Sequence, residues 1–274
     1  VEALDRIGEL GSQLSEKELL EGLASPRLVV RGDALHALRS VPPTPAIARA
    51  LMDEVQSHEF TTAYLAADLL GVYGVREAIP LLRASLRSED LFLQSKAILA
   101  LGRMRDEDSY PALLQIFRST DNPRLLIHSM NAFGFFGKTE SIKEILQRLP
   151  EFETTTVRGE AFLSLADLCG TGEEFYSDYK AYLLDPNIGA SILLDLAEKQ
   201  RAPLRRQAAV EIARAYSLDA ATFKAALLSF CRAVSCEPRM QEILRAFEEY
   251  LRDEKQALEQ ELRFCLAYYC LAMW

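Results

Sequence analysis

Leucine stands at Leu19, Leu51, Leu82, Leu114 and Leu146, at intervals of 32, 31, 32 and 32 residues. Eleven residues after each comes Val30, Thr62, Leu93, Leu125 or Val157, and fifteen after comes a small residue, Ala34, Ala66, Ala97, Ser129 or Ala161. Twenty residues after the leucines stand Arg39, Gly71, Gly102, Gly134 and Ala166. Between these columns apolar residues recur at helical spacing, as in Leu82 and Leu86, then Leu93, Ala97, Ala100 and Leu101. Two amphipathic helices per period of about 30 residues predict a stacked array of helical hairpins. The small column is steric: a larger group there would push paired helices apart.

Punctuation agrees with that division. Pro80 and Pro111 stand where the first turn of a helix tolerates proline. The turns inside the hairpins carry Ser25, Ser57, Ser88 and Thr120, whose hydroxyls can accept from an orphan helix amide. In the fifth unit Phe152 takes that place, and Thr154 to Thr156 supply the cap. The glycine pairs Gly71/Gly74 and Gly134/Gly137 fall at helix ends and read as C-caps.

The register breaks after Ala166. Leu193, Leu204, Arg205, Ala208, Ile212 and Ala213 form the next matching set, and Ala213 lies 47 residues past Ala166. One period plus roughly fifteen residues predicts an inserted helix, from Glu173 to Leu184. Residues 15–170 therefore read as five regular repeats, 171–186 as an inserted helix, and 187–216 as a sixth repeat. Residues 217–274 read as degenerate C-terminal helices over Ala220–Ser235, Arg239–Arg252 and Lys255–Met273. Strand signals are almost absent, so the fold class is all-α, an α-solenoid with a helical C-terminal cap, expected as one elongated domain over 1–274.

Composition narrows the function. The chain has 274 residues, 49% of them hydrophobic, and 31 basic against 40 acidic residues for a net charge of −9. That balance argues against nucleic-acid binding, which needs Lys and Arg to neutralise phosphates. Cys169, Cys231, Cys236, Cys265 and Cys270 sit in apolar helical segments at spacings unlike the C-x2-C knuckle, and read as buried small hydrophobes in a reducing compartment. No stretch approaches the roughly 20 apolar residues of a membrane span, and Phe264–Trp274 reads as a capping or terminal core helix. The chain opens at Val1, as a piece of a longer protein would.

The fragments Val30-Arg31-Gly32-Asp33-Ala34 and Val157-Arg158-Gly159-Glu160-Ala161 match the pattern V-R-x-x-A. With Ala78-Ile79-Pro80-Leu81-Leu82, Ala100-Leu101-Gly102 and Asp121-Asn122-Pro123-Arg124, they resemble the short bacterial HEAT repeats first described in phycobilisome lyases. The resemblance covers 15–170 and, more loosely, 187–216. It implies a right-handed solenoid whose second helices line a concave surface. The motif arginine is Arg31, Arg158 and Arg205, but Ala63, Gln94 and Leu126 replace it elsewhere, so a ladder of Asp–Arg pairs is incomplete. No residue marks bilin chemistry.

On those second helices, positions ten, six and three before the marker, and one after it, share a face. They supply a candidate partner-binding groove of Asp33, His36, Asp68, Lys96, Arg103, Arg124, His128, Asn131, Glu160 and Asp167, with Tyr64 one step aside. The stripe reads as mixed charge with few large apolar groups. Lys96, His128 and Glu160 share one register in three consecutive units; solvated ion pairing outweighs an acid–base pair there. No nucleophile elbow, zinc-helix motif, Walker loop or dinucleotide loop occurs, and His36, His58 and His128 fall in separate units. Neither metal nor cofactor is expected. The basic run Lys199 to Arg206 reads as helix-end cations, and Glu248, Glu249, Asp253, Glu254 and Glu259 to Glu261 as a solvated acidic face.

The function so implied is a monomeric, non-enzymatic scaffold, cytoplasmic, binding a partner protein or a sibling domain along the groove. A cytoplasmic regulatory domain of a larger membrane protein such as a transporter is the alternative. A bilin lyase-like or DNA-glycosylase-like enzyme stands third.

Overall fold

The computed structural model describes residues 14–57, 60–234, 237–253 and 257–273. Among them are sixteen α-helices and no strand, and the chain divides after Phe136 into two compact units. The architecture is all-α and built of stacked helical hairpins.

In the first unit the hairpins are α1 (Glu16–Leu23) with α2 (Leu28–Leu38), α3 (Pro45–Gln56) with α4 (Phe60–Tyr73), α5 (Ile79–Ser85) with α6 (Leu91–Arg103), and α7 (Tyr110–Ser119) with α8 (Pro123–Phe136). Local chemistry sets their starts. Ser15 and Glu18 form a reciprocal capping box on α1, and Thr44 accepts from the Ile47 amide at 3.2 Å beside Pro45. Asp90 caps α6 at the Phe92 amide, 2.9 Å away, and Asn122 caps α8 at Arg124, 3.0 Å away. The turn hydroxyls act one step earlier than the sequence predicts. Ser25, Ser88 and Thr120 accept from the amide two residues on, ordering the turn so that Asp90 and Asn122 reach the cap. Ser57 instead donates to the Glu54 carbonyl at 2.8 Å.

The second helices pack backbone to backbone. A Cβ added to Gly71 would lie 2.5 Å from the Ala100 Cα, and one on Gly102 would lie 2.7 Å from the Ala132 Cα. Glycine there is therefore a condition of the α4–α6 and α6–α8 spacing. Gly74 and Gly137 adopt left-handed φ of 66° and 68°, the C-cap role read from sequence. The leucine column holds at Leu19, Leu51, Leu82 and Leu146, all buried. It slips at Leu114, which is half-exposed, while Leu113 and Phe117 are fully buried. The cause is aromatic packing: Tyr110 and Phe117 meet Phe133 edge-on at 5.9 and 5.3 Å, which turns α7 by one position.

The second unit opens with one more regular hairpin, α9 (Glu140–Arg148) and α10 (Thr155–Cys169), with Thr154 capping at the Val157 amide. The inserted helix follows as α11 (Gly172–Leu184), then the sixth hairpin, α12 (Gly189–Glu198) and α13 (Pro203–Tyr216). Three helices close it: α14 (Ala220–Ala233), α15 (Pro238–Arg252) and α16 (Gln260–Ala272). Among the described residues the last begins at Gln260 after an extended Glu259 N-cap, and the Lys255 start read from sequence lies outside the described residues. It packs on α10, α12 and α13, and every residue from Phe264 to Leu271 is buried. A helix apolar all round is a core helix. Among the described residues no helix is long and apolar enough to cross a membrane.

The acidic C-terminal helices are not simply a solvated face. Glu248 binds Arg232 at 3.0 Å and Arg252 at 2.8 Å, Glu249 binds Lys143 at 2.7 Å, and Glu259 binds Arg158 at 2.7 Å. Glu261 accepts from the Tyr179 hydroxyl at 2.8 Å. Cations on α9, α10 and α14 thus meet carboxylates that sequence distance conceals. Cys169, Cys265 and Cys270 are buried and Cys231 half-buried; burial pushes the three buried thiols well up, which keeps them protonated. Cys236 and His58 lie outside the described residues.

Candidate partner-binding groove

The first-unit candidates lie on the face of α2, α4, α6 and α8, and Asp68 organises its centre. Asp68 is on α4, one turn before Gly71, where the close approach of α6 leaves it only 4% exposed. Cations from both neighbouring helices reach it. Arg39, at the end of α2, donates to Oδ2 at 2.9 Å, and Arg103, at the end of α6, donates to Oδ1 at 2.7 Å. The Lys96 Nζ lies 3.6 Å from Oδ1. Burial raises the Asp68 carboxyl, but the Arg103 hydrogen bond and the charges of Lys96, Arg103 and Arg39 outweigh it and hold it below its ordinary value. Asp68 is therefore ionised at neutral pH, and one carboxylate ties three successive hairpins together.

The cluster does not neutralise itself. Three cations face one carboxylate, a surplus of two positive charges on a chain whose net charge is −9. Arg39 is half-exposed, and Lys96 and Arg103 keep part of their surface in solvent.

Toward the start of α6 and α8 the face becomes aromatic. The Arg124 guanidinium lies over the Phe92 ring, 4.1 Å from its centroid, and Tyr64 packs on the same ring at 5.6 Å. Phe92 nevertheless remains 48% exposed. One turn along α8, His128 Nδ1 lies 2.8 Å from the Arg124 carbonyl. A carbonyl only accepts, so in this geometry Nδ1 carries the proton and Nε2 presents its lone pair. Burial depresses the His128 pKa, and the charges of Lys96 and Arg124 push the same way, against the Arg124 carbonyl and Asp68. The ring is neutral at pH 7.

The structure thus brings together Tyr64, Asp68, Lys96, Arg103, Arg124 and His128. Asp33 is exposed and His36 half-buried on α2, and Asn131 is half-buried on α8. Glu160 and Asp167 stand on α10 in the second unit, half-buried and exposed. Two expectations are corrected. Asp68 is not an open groove contact but a buried counter-ion, because its neighbours close over it. The stripe is also not poor in large apolar groups. Val29, Val72, Phe92 and Phe135 are all exposed, and all occupy the positions ten before or one after a marker. They form apolar rims in rows that Arg103 and Arg124 share.

Sequence reasoning passed over Arg39 because it was counted as a column marker. Its signal was available: it is the one charged residue in a column otherwise made of glycine and alanine. Phe92 and Phe135 lie in the groove columns and were missed by reading those columns for polar residues alone.

Residues 48–130 match the family model of HEAT repeats, a stretch within the first unit. Over that stretch the stacked hairpins are HEAT-like repeats. Curated proteins offer no match. Among solved structures, the complex of CpcE and CpcF of phycocyanin lyase from Nostoc sp. PCC7120 is similar at a TM-score of 0.49 and 19% identity. That alignment covers 86% of this chain and 95% of the other.

Proposed function

We propose that this protein is a binding scaffold whose partner, a protein or another domain of the same polypeptide, docks on the α2–α4–α6–α8 face of the first unit. The observation that carries the reading is the unneutralised charge around Asp68, held beside exposed aromatic rims. A purely structural ion cluster would balance its charges. One cation is enough to neutralise the buried Asp68, and the other two keep part of their surface in solvent. Exposed Phe beside arginine matches the make-up of interfaces, which are enriched in aromatic and arginine side chains.

The test is site-specific cross-linking in the source cell. A photoreactive phenylalanine analogue at Phe92 is expected to capture a discrete partner. The same analogue at Leu184, an exposed position on α11, should not. Equal capture from both positions, or from neither, would refute docking on this face.

A further inference from the structure

The chemistry of this face also specifies its occupant, on the premise that the proposed face is where the partner docks. We infer that it takes an acidic segment of a protein partner, with carboxylate side chains meeting Arg39, Lys96 and Arg103 and apolar side chains seated on the rims. The surplus of positive charge is local and runs against the charge of the chain as a whole. Asp68 already shows what this cluster binds: a carboxylate held by two guanidinium groups and an ammonium. Arg39 and Arg103 each give Asp68 one nitrogen, and the rest of each planar fork remains to receive a second carboxylate.

Geometry sets the length of the segment. Phe92, Lys96 and Arg103 are spaced 4 and 7 apart, on one face of α6 and over about 16 Å of its length. Arg124, His128, Asn131 and Phe135 repeat that spacing on α8. Crossing from α2 to α8 takes three helix-to-helix steps of roughly 10 Å, a distance that about ten extended residues span. Along such a path charged and apolar groups alternate, from Arg39 to Val72, Arg103 and Phe135.

The experiment uses fluorescein-labelled peptides of about ten residues, titrated with the full chain and read by fluorescence polarisation. One contains Glu with two Phe, the second has Lys for each Glu, and the third has Ser for each Phe. An oligothymidylate of the same length supplies anionic charge without carboxylates. The Glu/Phe peptide is expected to bind tightest of the four, and more weakly as salt rises from about 50 to 500 mM. Lys96→Glu with Arg103→Glu should weaken it about tenfold or more, while Arg76→Glu with Arg87→Glu, the same charge change away from the face, should leave it unchanged. Circular dichroism checks that both variants fold. Tighter binding of the Lys/Phe peptide or the oligonucleotide, no binding by any probe, or indifference to the Lys96/Arg103 change would each overturn the acidic occupant. A Phe92 cross-link to a partner alongside any of these results would leave the docking face standing and reject only its proposed chemistry.

Discussion

Between α4 and α6, Gly71 lies so close to Ala100 that no side chain fits, whereas between α11 and α16 Phe264 stacks on Tyr182 at 4.2 Å and 5°. The first unit joins its second helices through small residues, and the second unit joins α11 to α16 through large ones. Small residues give one spacing again and again, so each hairpin can be copied onto the last and its outer positions vary without disturbing the stack. Rings give large contacts that do not repeat. They also consume polar groups: Tyr269 donates to the Phe162 carbonyl and Tyr268 to Asp178, both at 2.7 Å, and Gln200 donates to the Leu271 carbonyl at 2.8 Å. The first unit buries polar groups as well, but its buried carboxylates Glu54, Asp68 and Asp106 are met by arginines rather than by rings.

The sharpest way to break this comparison is to remove a ring. Phe264 is fully buried, stacked on Tyr182 and 6.3 Å from Tyr216 and 5.9 Å from Tyr268. Phe264→Ala is expected to cost about 3–5 kcal/mol, the range for a buried aromatic whose cavity cannot collapse. Hydrogen exchange should show the loss of protection over 172–216 and 260–272. A change below about 1 kcal/mol would mean that α16 caps the unit without forming its core.

The same contrast explains what could be read from the sequence. Columns made by small residues are legible because their cause is local and repeats: any large group at Gly71 or Gly102 collides with a backbone 29 or 30 residues away. The position of the face was legible for the same reason. Its content was less so. The burial of Asp68 depends on Arg39 and Arg103, 29 residues before and 35 after, closing over it together. The partners of the C-terminal carboxylates were invisible for a stronger version of that reason: Lys143 and Glu249 are 106 residues apart, and no period relates them. The apolar run of α16 was visible, but only tertiary packing distinguishes a cap from a core helix.

A smaller effect separates steric glycines from incidental ones. Gly102→Ala places a Cβ 2.6 Å from the Ala132 Cβ and 2.7 Å from its Cα, and α6 and α8 must part to admit it. The expected cost is about 1–3 kcal/mol, exceeding the roughly 1 kcal/mol that alanine gains in a helix. Gly32, inside α2, has nothing within 4 Å of an added Cβ. Gly32→Ala should therefore stabilise by about 0.5–1 kcal/mol. Denaturant melts of the two variants should move in opposite directions. Movement in the same direction would show that helix propensity, and not the spacing of the stack, governs both sites.

The smallest effect tests whether recognition belongs to the face of the first unit. His128 is neutral at pH 7, held there first by burial and then by Lys96 and Arg124, with the Arg124 carbonyl and Asp68 opposing. Its pKa is displaced downward from 6.5, so protonation falls in the window below that value. Protonation places a further positive charge on the face and turns Nε2 from an acceptor into a donor. A bound carboxylate favours the charged ring and raises its pKa, so by linkage an acidic peptide should bind more tightly as pH falls from 7 toward 5.5. Glutamates in the peptide stay largely ionised through that range, since their ordinary pKa is about 4.3. The gain is about two- to fivefold, as expected for one partly screened charge a few ångströms from another. His128→Asn removes the titrating group and should flatten the profile without reversing it. If the variant keeps the full pH dependence, the titrating group lies elsewhere, and the polar side chains of this face do not read the partner's charge.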